Sequence, residues 1–408
     1  VSIANRISRR SLLIAGGAAA VAALLRPLRP RAEAAAVELR RVAAPGRAPL
    51  RGPSSPETDV WCYNGAVTGP EIRVRQNQRV RVVVENKLPQ DTTIHWHGVR
   101  VPNAMDGAPD VTQPPIRPGE TFVYEFTVPD AGTYWYHPHI HSAEQIGRGL
   151  AAPFIVEETD PPPVDRDIVW VLGDFRLKKD GSIAAGFNNP METAMSGRIG
   201  NTITINGRIP EPVAVRSGER LRLRLINAAP SRIFRLEFQD HAPLVISYDG
   251  QPVEPHPPEG GRVVLGPAMR IDLLIDMTGL PGTMASVLDS FYEGLAFKLV
   301  DFAYGDEASA KSALRPPGKL AANPIPEPDV ARATRHEVTL TGGMGMAGMA
   351  GGGAMSGGSG TMGAMGGGMP GMNGGPMWLM NGVAMPGDKM GQMAPILTLA
   401  RGGSFILA

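Results

Sequence analysis

A stretch of the chain occurs twice. Ile72-Arg-Val74-Arg75-x-x-x-Arg79-Val80-Arg81-Val82 with Asn86 matches Val213-Ala-Val215-Arg216-x-x-x-Arg220-Leu221-Arg222-Leu223 with Asn227. The two copies align from Ile72 on Val213 to Asn86 on Asn227 without a gap. A third copy starts at Leu397-Thr-Leu399 and runs through Arg401-Gly402-Gly403-Ser404-Phe405-Ile406-Leu407, with Leu397 aligned on Val213 and Phe405 on Leu221. A unit that recurs in this way is one domain used several times. The third copy ends about three residues before the position matching Asn227, so it is expected to be incomplete and to stop inside a strand.

The unit reads as β. Arg79–Glu85, Thr92–Val101, Thr121–Val128, Gly132–Tyr136 and Phe154–Glu157 are short runs rich in Val, Thr, Tyr and Phe, separated by Pro-Gly, Asn and Asp-Gly. That is strand-and-turn punctuation. From residue 60 onward no run of comparable length carries a 3.6-residue apolar period. Fifty glycines and 39 prolines in 408 residues favour many turns over long helices. The expected fold class is all-β, with tandem Greek-key β-sandwich domains, two complete and a third incomplete. Their expected spans are 37–160, 161–312 and 334–408, with a Pro-rich linker at 313–333.

Charge and cysteine content narrow the chemistry. The net charge of +1 gives no basic excess for a nucleic-acid partner. The single cysteine, Cys62, excludes an intrachain disulfide and any metal site built from several thiolates. Within Trp61-Cys62-Tyr63 it reads as a small buried apolar residue.

Five of the eight histidines fall between Thr93 and His141, in His95-Trp96-His97-Gly98 and Tyr134-Trp135-Tyr136-His137-Pro138-His139-Ile140-His141. On a strand, residues two apart face the same side, about 6.6 Å apart. Two such strands side by side would aim four imidazoles into one space, and imidazole suits copper, zinc, iron and nickel. Pro138 donates no ladder hydrogen bond, which suits a strand end where side chains open towards a metal. When the alignment of the first two copies is continued, His95 and His97 fall on Leu236 and Phe238, so the second copy is expected to be a spacer at this site. His241, His256 and His336 have no paired spacing and are expected in solvated turns or on the surface.

The two ends are compositionally distinct. Ser8-Arg9-Arg10-Ser11-Leu12-Leu13, an apolar run to Leu25 and Ala32-Glu33-Ala34 make residues 1–36 resemble a twin-arginine export signal. The apolar run, Leu12 to Leu25, is shorter than the ~17–25 residues that span a bilayer, so no stable membrane span is expected. The expected location is periplasmic or secreted. Residues 342–376 are almost entirely Gly, Met, Ala and Ser, and 13 of the 19 methionines lie between Met344 and Met393. Such a segment buries too little surface to order itself, while thioethers suit Cu(I).

The histidine motifs, the Asp106-Gly107 turn, Pro118-Gly119-Glu120, Gln145, Arg148-Gly149-Leu150 and Tyr248-Asp249-Gly250-Gln251-Pro252-Val253 together resemble three-domain multicopper oxidases of the bacterial laccase-like, cuprous-oxidase type. The resemblance covers about residues 58–408. It implies cupredoxin-like domains and a three-copper cluster between the first and third of them, where O₂ is reduced to water. By the same resemblance His95 would ligate the lone copper, His97 and His137 would share one copper of the coupled pair, and His139 would ligate the other. His141 matches a histidine that is not a ligand. Asp106 matches an acidic residue that delivers protons; its other reading is a turn aspartate before Gly107.

The resemblance also implies a His-Cys-His motif for an electron-accepting copper, and residues 1–408 hold none. The expectation is therefore half of the cluster's ligands, no electron-accepting copper site, and a 408-residue chain inactive in O₂ reduction. The intact enzyme is expected to be a monomer that oxidises phenols or Cu(I) one electron at a time, with O₂ as the other partner. The rival expectations are a copper-binding, copper-tolerance protein without turnover, and a copper-free structural protein of cupredoxin fold. Retention of His95, His97, His137 and His139 argues against the last.

Overall fold

The computed structural model describes residues 36–308 except 188, 190, 193 and 194, together with 318–342, 378–384 and 394–408. The expected export signal lies outside the described residues apart from Ala36, and so does the Gly/Met-rich segment from 343 to 376. No described helix is long and apolar enough to cross a membrane.

The first sandwich is built from β1 (Val37–Ala48), β2 (Thr58–Tyr63), β3 (Ile72–Arg75), β4 (Arg79–Asn86), β5 (His95–His97), β6 (Thr121–Thr127) and β7 (Gly132–His137), then the short helix α1 (Ser142–Gly147) and β8 (Ala152–Glu157). Two four-stranded sheets, ordered β2-β1-β4-β6 and β3-β8-β7-β5, face one another. Between them pack Val80, Val82, Val84, Trp96, Tyr124, Tyr136 and Phe154. The second sandwich contains β9 (Arg166–Phe175), β10 (Thr202–Ile205), β11 (Val213–Ser217), β12 (Arg220–Asn227), β13 (Phe234–Phe238), β14 (Leu244–Tyr248), β15 (Gln251–His256), β16 (Val263–Leu265), β17 (Arg270–Asp276), β18 (Met284–Asp289) and β19 (Phe297–Ala308). Its sheets are ordered β10-β9-β12-β17-β14-β15 and β11-β19-β18-β13-β16.

The sequence repeat is thus a structural repeat. β4 runs parallel to β1 and antiparallel to β6, as β12 runs parallel to β9 and antiparallel to β17. Asn86 and Asn227 are both fully buried at the end of the repeat. Each accepts from the amide two residues on, Leu88 at 2.9 Å or Ala229 at 3.0 Å. Each donates to two carbonyls, Gln90 and Ile116 in one case, Arg232 and Leu265 in the other. Three satisfied polar contacts are what allow an amide side chain to sit in such a core. The alignment of the third copy is structural as well. Of β20 (Thr334–His336), β21 (Leu340–Gly342), β22 (Trp378–Met380), β23 (Val383–Ala384) and β24 (Phe405–Leu407), β24 pairs parallel with β20. Thr334 N donates to Ser404 O as Asp165 N donates to Arg220 O.

One strand goes beyond those read from the sequence, and one expectation needs correction. β1 precedes residue 60 and pairs on both sides through its main chain, with β2 over Ala43–Ala48 and with β4 over Val37–Ala43. A strand held by two ladders needs few large apolar residues, so its Arg- and Pro-Gly-containing sequence did not show it. The strand expected at Thr92–Val101 shrinks to β5, because Gly98 turns the chain with φ +84° and Val99 N closes back on Trp96 O.

All six residues of β7 are buried. Tyr134 and Tyr136 face the first core, while Trp135 joins Val171, Ile226 and Ala228 in a cluster at the seam with the second sandwich. Beside that cluster is a buried charge network. Arg222 pairs with Glu158 at 2.6 Å and Asp272 at 2.7 Å, and Arg224 with Asp167 at 2.7 Å. Thr133 Oγ1 on β7 donates to Asp272 at 2.6 Å and accepts from Arg224 at 2.9 Å. Asn323, in the stretch expected to be a linker, bridges the same seam by donating to Ala131 O and Gly250 O, both at 3.0 Å.

Candidate metal centre

β5 and β7 pair antiparallel with His95 opposite His137 and His97 opposite Trp135. Period two then puts all four side chains on one face of the sheet. β7 ends at His137, and Pro138 turns the chain so that His139 also faces the group. The His95 ring lies 5.5 Å from His97, 5.4 Å from His137 and 5.2 Å from His139 between centroids. Ligand atoms of His95, His97 and His137 all lie within 4.8 Å of one another.

Hydrogen bonds set which nitrogen is free. His95 Nδ1 donates to Asp106 O at 2.8 Å and His137 Nδ1 donates to Pro138 O at 2.8 Å. A ring N–H held by a carbonyl leaves the lone pair on Nε2. His97 Nδ1 and His137 Nε2 face each other at 3.1 Å. Two nitrogens bound to one ion at about 2.0–2.1 Å stand about 3 Å apart when the angle between them is near 100°. The donor set therefore fits a metal of the imidazole-binding group, copper among them.

Burial favours the neutral form of His97, His137 and His139, the state that can ligate. Desolvation, then the charge of Arg270 and the neighbouring His95 and His139, push the His97 pKa down to about 3. Desolvation first, then His95 and His97, hold His137 well below the ordinary histidine value. Desolvation and His95 lower His139. Trp135 backs the pair, stacked 5.2 Å from His97 and tilted against His137 at 4.2 Å between centroids.

Asp106 lies beside His95. Its carboxylate lies 3.4 Å from His95 Nδ1 and its main-chain oxygen closer still. Gly107 makes this possible, since with φ +81° a Cβ there would lie 1.9 Å from Ile94 O. The Asp106 side chain is 37% exposed, so this carboxylate faces both His95 and solvent. His141 adopts a left-handed conformation at the start of α1. Cys62 is buried elsewhere, among Ala48, Leu50, Val60 and Phe175, and burial pushes its thiol pKa up. His241 hydrogen-bonds Tyr304 Oη at 2.6 Å, and His336 packs on Phe405.

The histidines line a cavity of about 210 Å³. Its far wall comes from the second sandwich: Ala228, Ala229, Pro230, Pro267 and Ala268. The second copy carries no imidazole here, yet it is not a mere spacer. Trp135 was within reach of sequence reasoning, being two residues before His137 on the same strand face. The Ala and Pro wall carries no chemical signal and emerges only from docking.

Two family models described as multicopper oxidase match residues 48–161 and 166–287. The crystal structure of a multicopper oxidase from Pseudomonas thermotolerans superposes with a TM-score of 0.68 at 36% identity, covering 75% of this chain and 73% of that one. The chain belongs to the multicopper oxidase family. Membership implies copper as the cofactor and cupredoxin-like sandwiches as the fold. Among curated relatives, multicopper oxidase MmcO of Mycobacterium tuberculosis is 32% identical over 263 residues, 58% of this chain and 51% of that protein. Copper resistance protein A of Escherichia coli is 29% identical over 268 residues, 55% and 44% respectively. The chain spans about half the length of these curated relatives.

Proposed function

We propose that His95, His97, His137 and His139 hold copper in an enzyme that removes single electrons from phenols or Cu(I) and delivers them to O₂. The observation that carries this reading is the 3.1 Å approach of His97 Nδ1 to His137 Nε2 inside a family whose cofactor is copper. His97 and His137 would hold one copper between them, His95 a second and His139 a third. Bound copper supplies one-electron redox chemistry, and the reaction, O₂ + 4 e⁻ + 4 H⁺ → 2 H₂O, consumes four protons.

The chain's own residues do the rest. The Asp106 and Pro138 carbonyls fix the tautomers of His95 and His137. Trp135 stacks against His97 and packs, tilted, against His137. The half-exposed Asp106 carboxylate takes protons from solvent and passes them towards the cavity beside His95. Further ligands than these four histidines complete the cluster. Export by the twin-arginine route to the periplasm or outside, and capture of Cu(I) by Met344–Met393, belong to the same reading.

The test is copper content, Cu(I) affinity against a competing chelator and O₂ uptake by the complete protein. His97→Ala with His137→Ala is expected to weaken copper retention about 100-fold, at or beyond the upper end seen when ligand environments are broken. Asp106→Asn is expected to keep copper and slow O₂ uptake about 10²-fold, the lower range for a lost proton-transfer group. Unchanged copper in the double histidine variant ends the reading. A second reading, copper holding without turnover, has behind it the likeness to copper resistance protein A of Escherichia coli. Copper binding without O₂ uptake would select it.

A further inference from the structure

We propose that Arg270, from the second sandwich, is a positioning residue for the histidine cluster, holding the turn after His97, strand β7 and the far wall of the cavity in one register. Arg270 opens β17 and is 5% exposed. Its guanidinium reaches out of its own sandwich. Nε donates to Thr133 O at 3.3 Å, on the strand that carries Trp135 and His137. Nη1 donates to Ala268 O at 3.1 Å. Ala268 lines the histidine cavity and is held in the left-handed region, φ +69°, a conformation that a side chain other than glycine's adopts at a cost. The hydrogen bond from Arg270 is thus one of the contacts that keep a strained wall residue in place.

The third contact is with Gly98, the residue after His97. A Cβ on Gly98 would lie 2.2 Å from Arg270 Nη2, so the guanidinium occupies the space that the missing side chain leaves. The glycine of His95-Trp96-His97-Gly98 therefore serves two ends, the positive φ of the turn and the seat of this arginine. The guanidinium itself is aimed by Asp249. Its Oδ1 lies 3.1 Å from Nη1, and its main-chain oxygen accepts from Nη2 at 3.0 Å. Asp249 Oδ1 also accepts from the Arg270 amide at 2.9 Å. A planar fork with several fixed donors can serve three backbone segments at once, and an ammonium on a flexible stem cannot. Tyr248-Asp249-Gly250, a motif that the metal chemistry does not use, acquires a role as the mount for Arg270.

This inference rests on the copper reading for one of its two readouts and stands without it for the other. The variants are Arg270→Lys and Arg270→Gln in the complete protein. Asn323→Ala serves as control, because it removes hydrogen bonds across the same seam without touching Gly98, Ala268 or Thr133. The first readout is Cu(I) affinity against a competing chelator. Both Arg270 variants are expected to bind at least about 10-fold more weakly than the parent, and Asn323→Ala within about twofold of it. The second is the set of histidine ring ¹⁵N shifts in the metal-free protein, which should move for His97 and His137 in the Arg270 variants alone. Lysine matching wild type in both readouts would show that charge is sufficient and overturn the positioning role. Equal losses in Asn323→Ala would do the same by showing a general effect of the seam. Were the parent to bind no Cu(I), the copper reading would fall. Unmoved ring shifts in Arg270→Gln would then still decide against Arg270.

Discussion

The two sandwiches share the order of four strands in each sheet, the pairing sense of β4 and β12 and the corner asparagine, but not what they do with equivalent positions. His95 and His97 in the first stand where Leu236 and Phe238 stand in the second, and both of the latter are buried in a core. Arg81 in the first is the counterpart of Arg222 in the second. The Arg81 side chain is 35% exposed and pairs with Glu38 at 2.8 Å, whereas that of Arg222 is 1% exposed between Glu158 and Asp272. The backbone pattern is inherited by both copies. The environment of each side chain is set by which sheet face meets the seam. Polar groups can be buried on that face because a second sandwich brings partners for them.

The largest contrast to test is therefore the arginine pair. Arg222→Met leaves the buried Glu158 and Asp272 with only the longer arginine contacts from Arg224, 3.8 Å and 3.3 Å, and the expected cost is ~3–5 kcal/mol. Arg81→Met removes a half-exposed ion pair, with an expected cost below ~1 kcal/mol. Denaturant melts of the two variants should differ accordingly, and equal midpoints would sink the idea that the seam sets the difference. Next comes a test of what the sandwiches share. Asn86→Ala and Asn227→Ala each remove three buried hydrogen bonds, and comparable losses of about 2 kcal/mol are expected from both. A large inequality would mean that the repeat is only skin-deep.

The smallest expected effect is acid sensitivity. Burial alone would raise the pKa of Glu158, but the hydrogen bond and charge of Arg222 outweigh it and the net shift is downward. Asp167 behaves alike, with burial opposed by Arg224 and Arg222. A carboxylate whose folded pKa lies below its unfolded one contributes stability above the unfolded value and loses it as pH falls through the folded value. The unfolded values are 4.5 for Glu158 and 3.8 for Asp167. Stability should thus hold from neutral pH to the mid-fours and decline below, and the decline should be shallower in Arg222→Met. An identical acid limb in that variant would remove the network from the explanation.

Much of this was legible in the sequence, for definite reasons. The repeat revealed the sandwich pattern, because a strand pair and its corner asparagine make a long, gapless signature. His95, His97 and His137 could be placed on one face because strand periodicity is two and Pro138 marks the strand end. What stayed hidden were features that depend on partners distant in sequence. β1 is held by ladders on both sides and carries little apolar pattern of its own. The Ala228–Pro230 wall is chemically silent. Arg270 belongs to a different domain from His97, and its seat is the absence of a side chain at Gly98.

β7 carries a consequence for the order of events during synthesis. Its inner face is covered by the first core, but its outer face, with Trp135 and His137, is covered by Ala228, Ala268 and their neighbours. A nascent chain that has emerged only to Glu157 already holds all four imidazoles and every strand of its first sandwich. It does not yet have a pocket. The pocket comes into being only when β12 and β17, much further along the chain, have been made and have docked, because Ala228 and Ala268 beside them form its far wall.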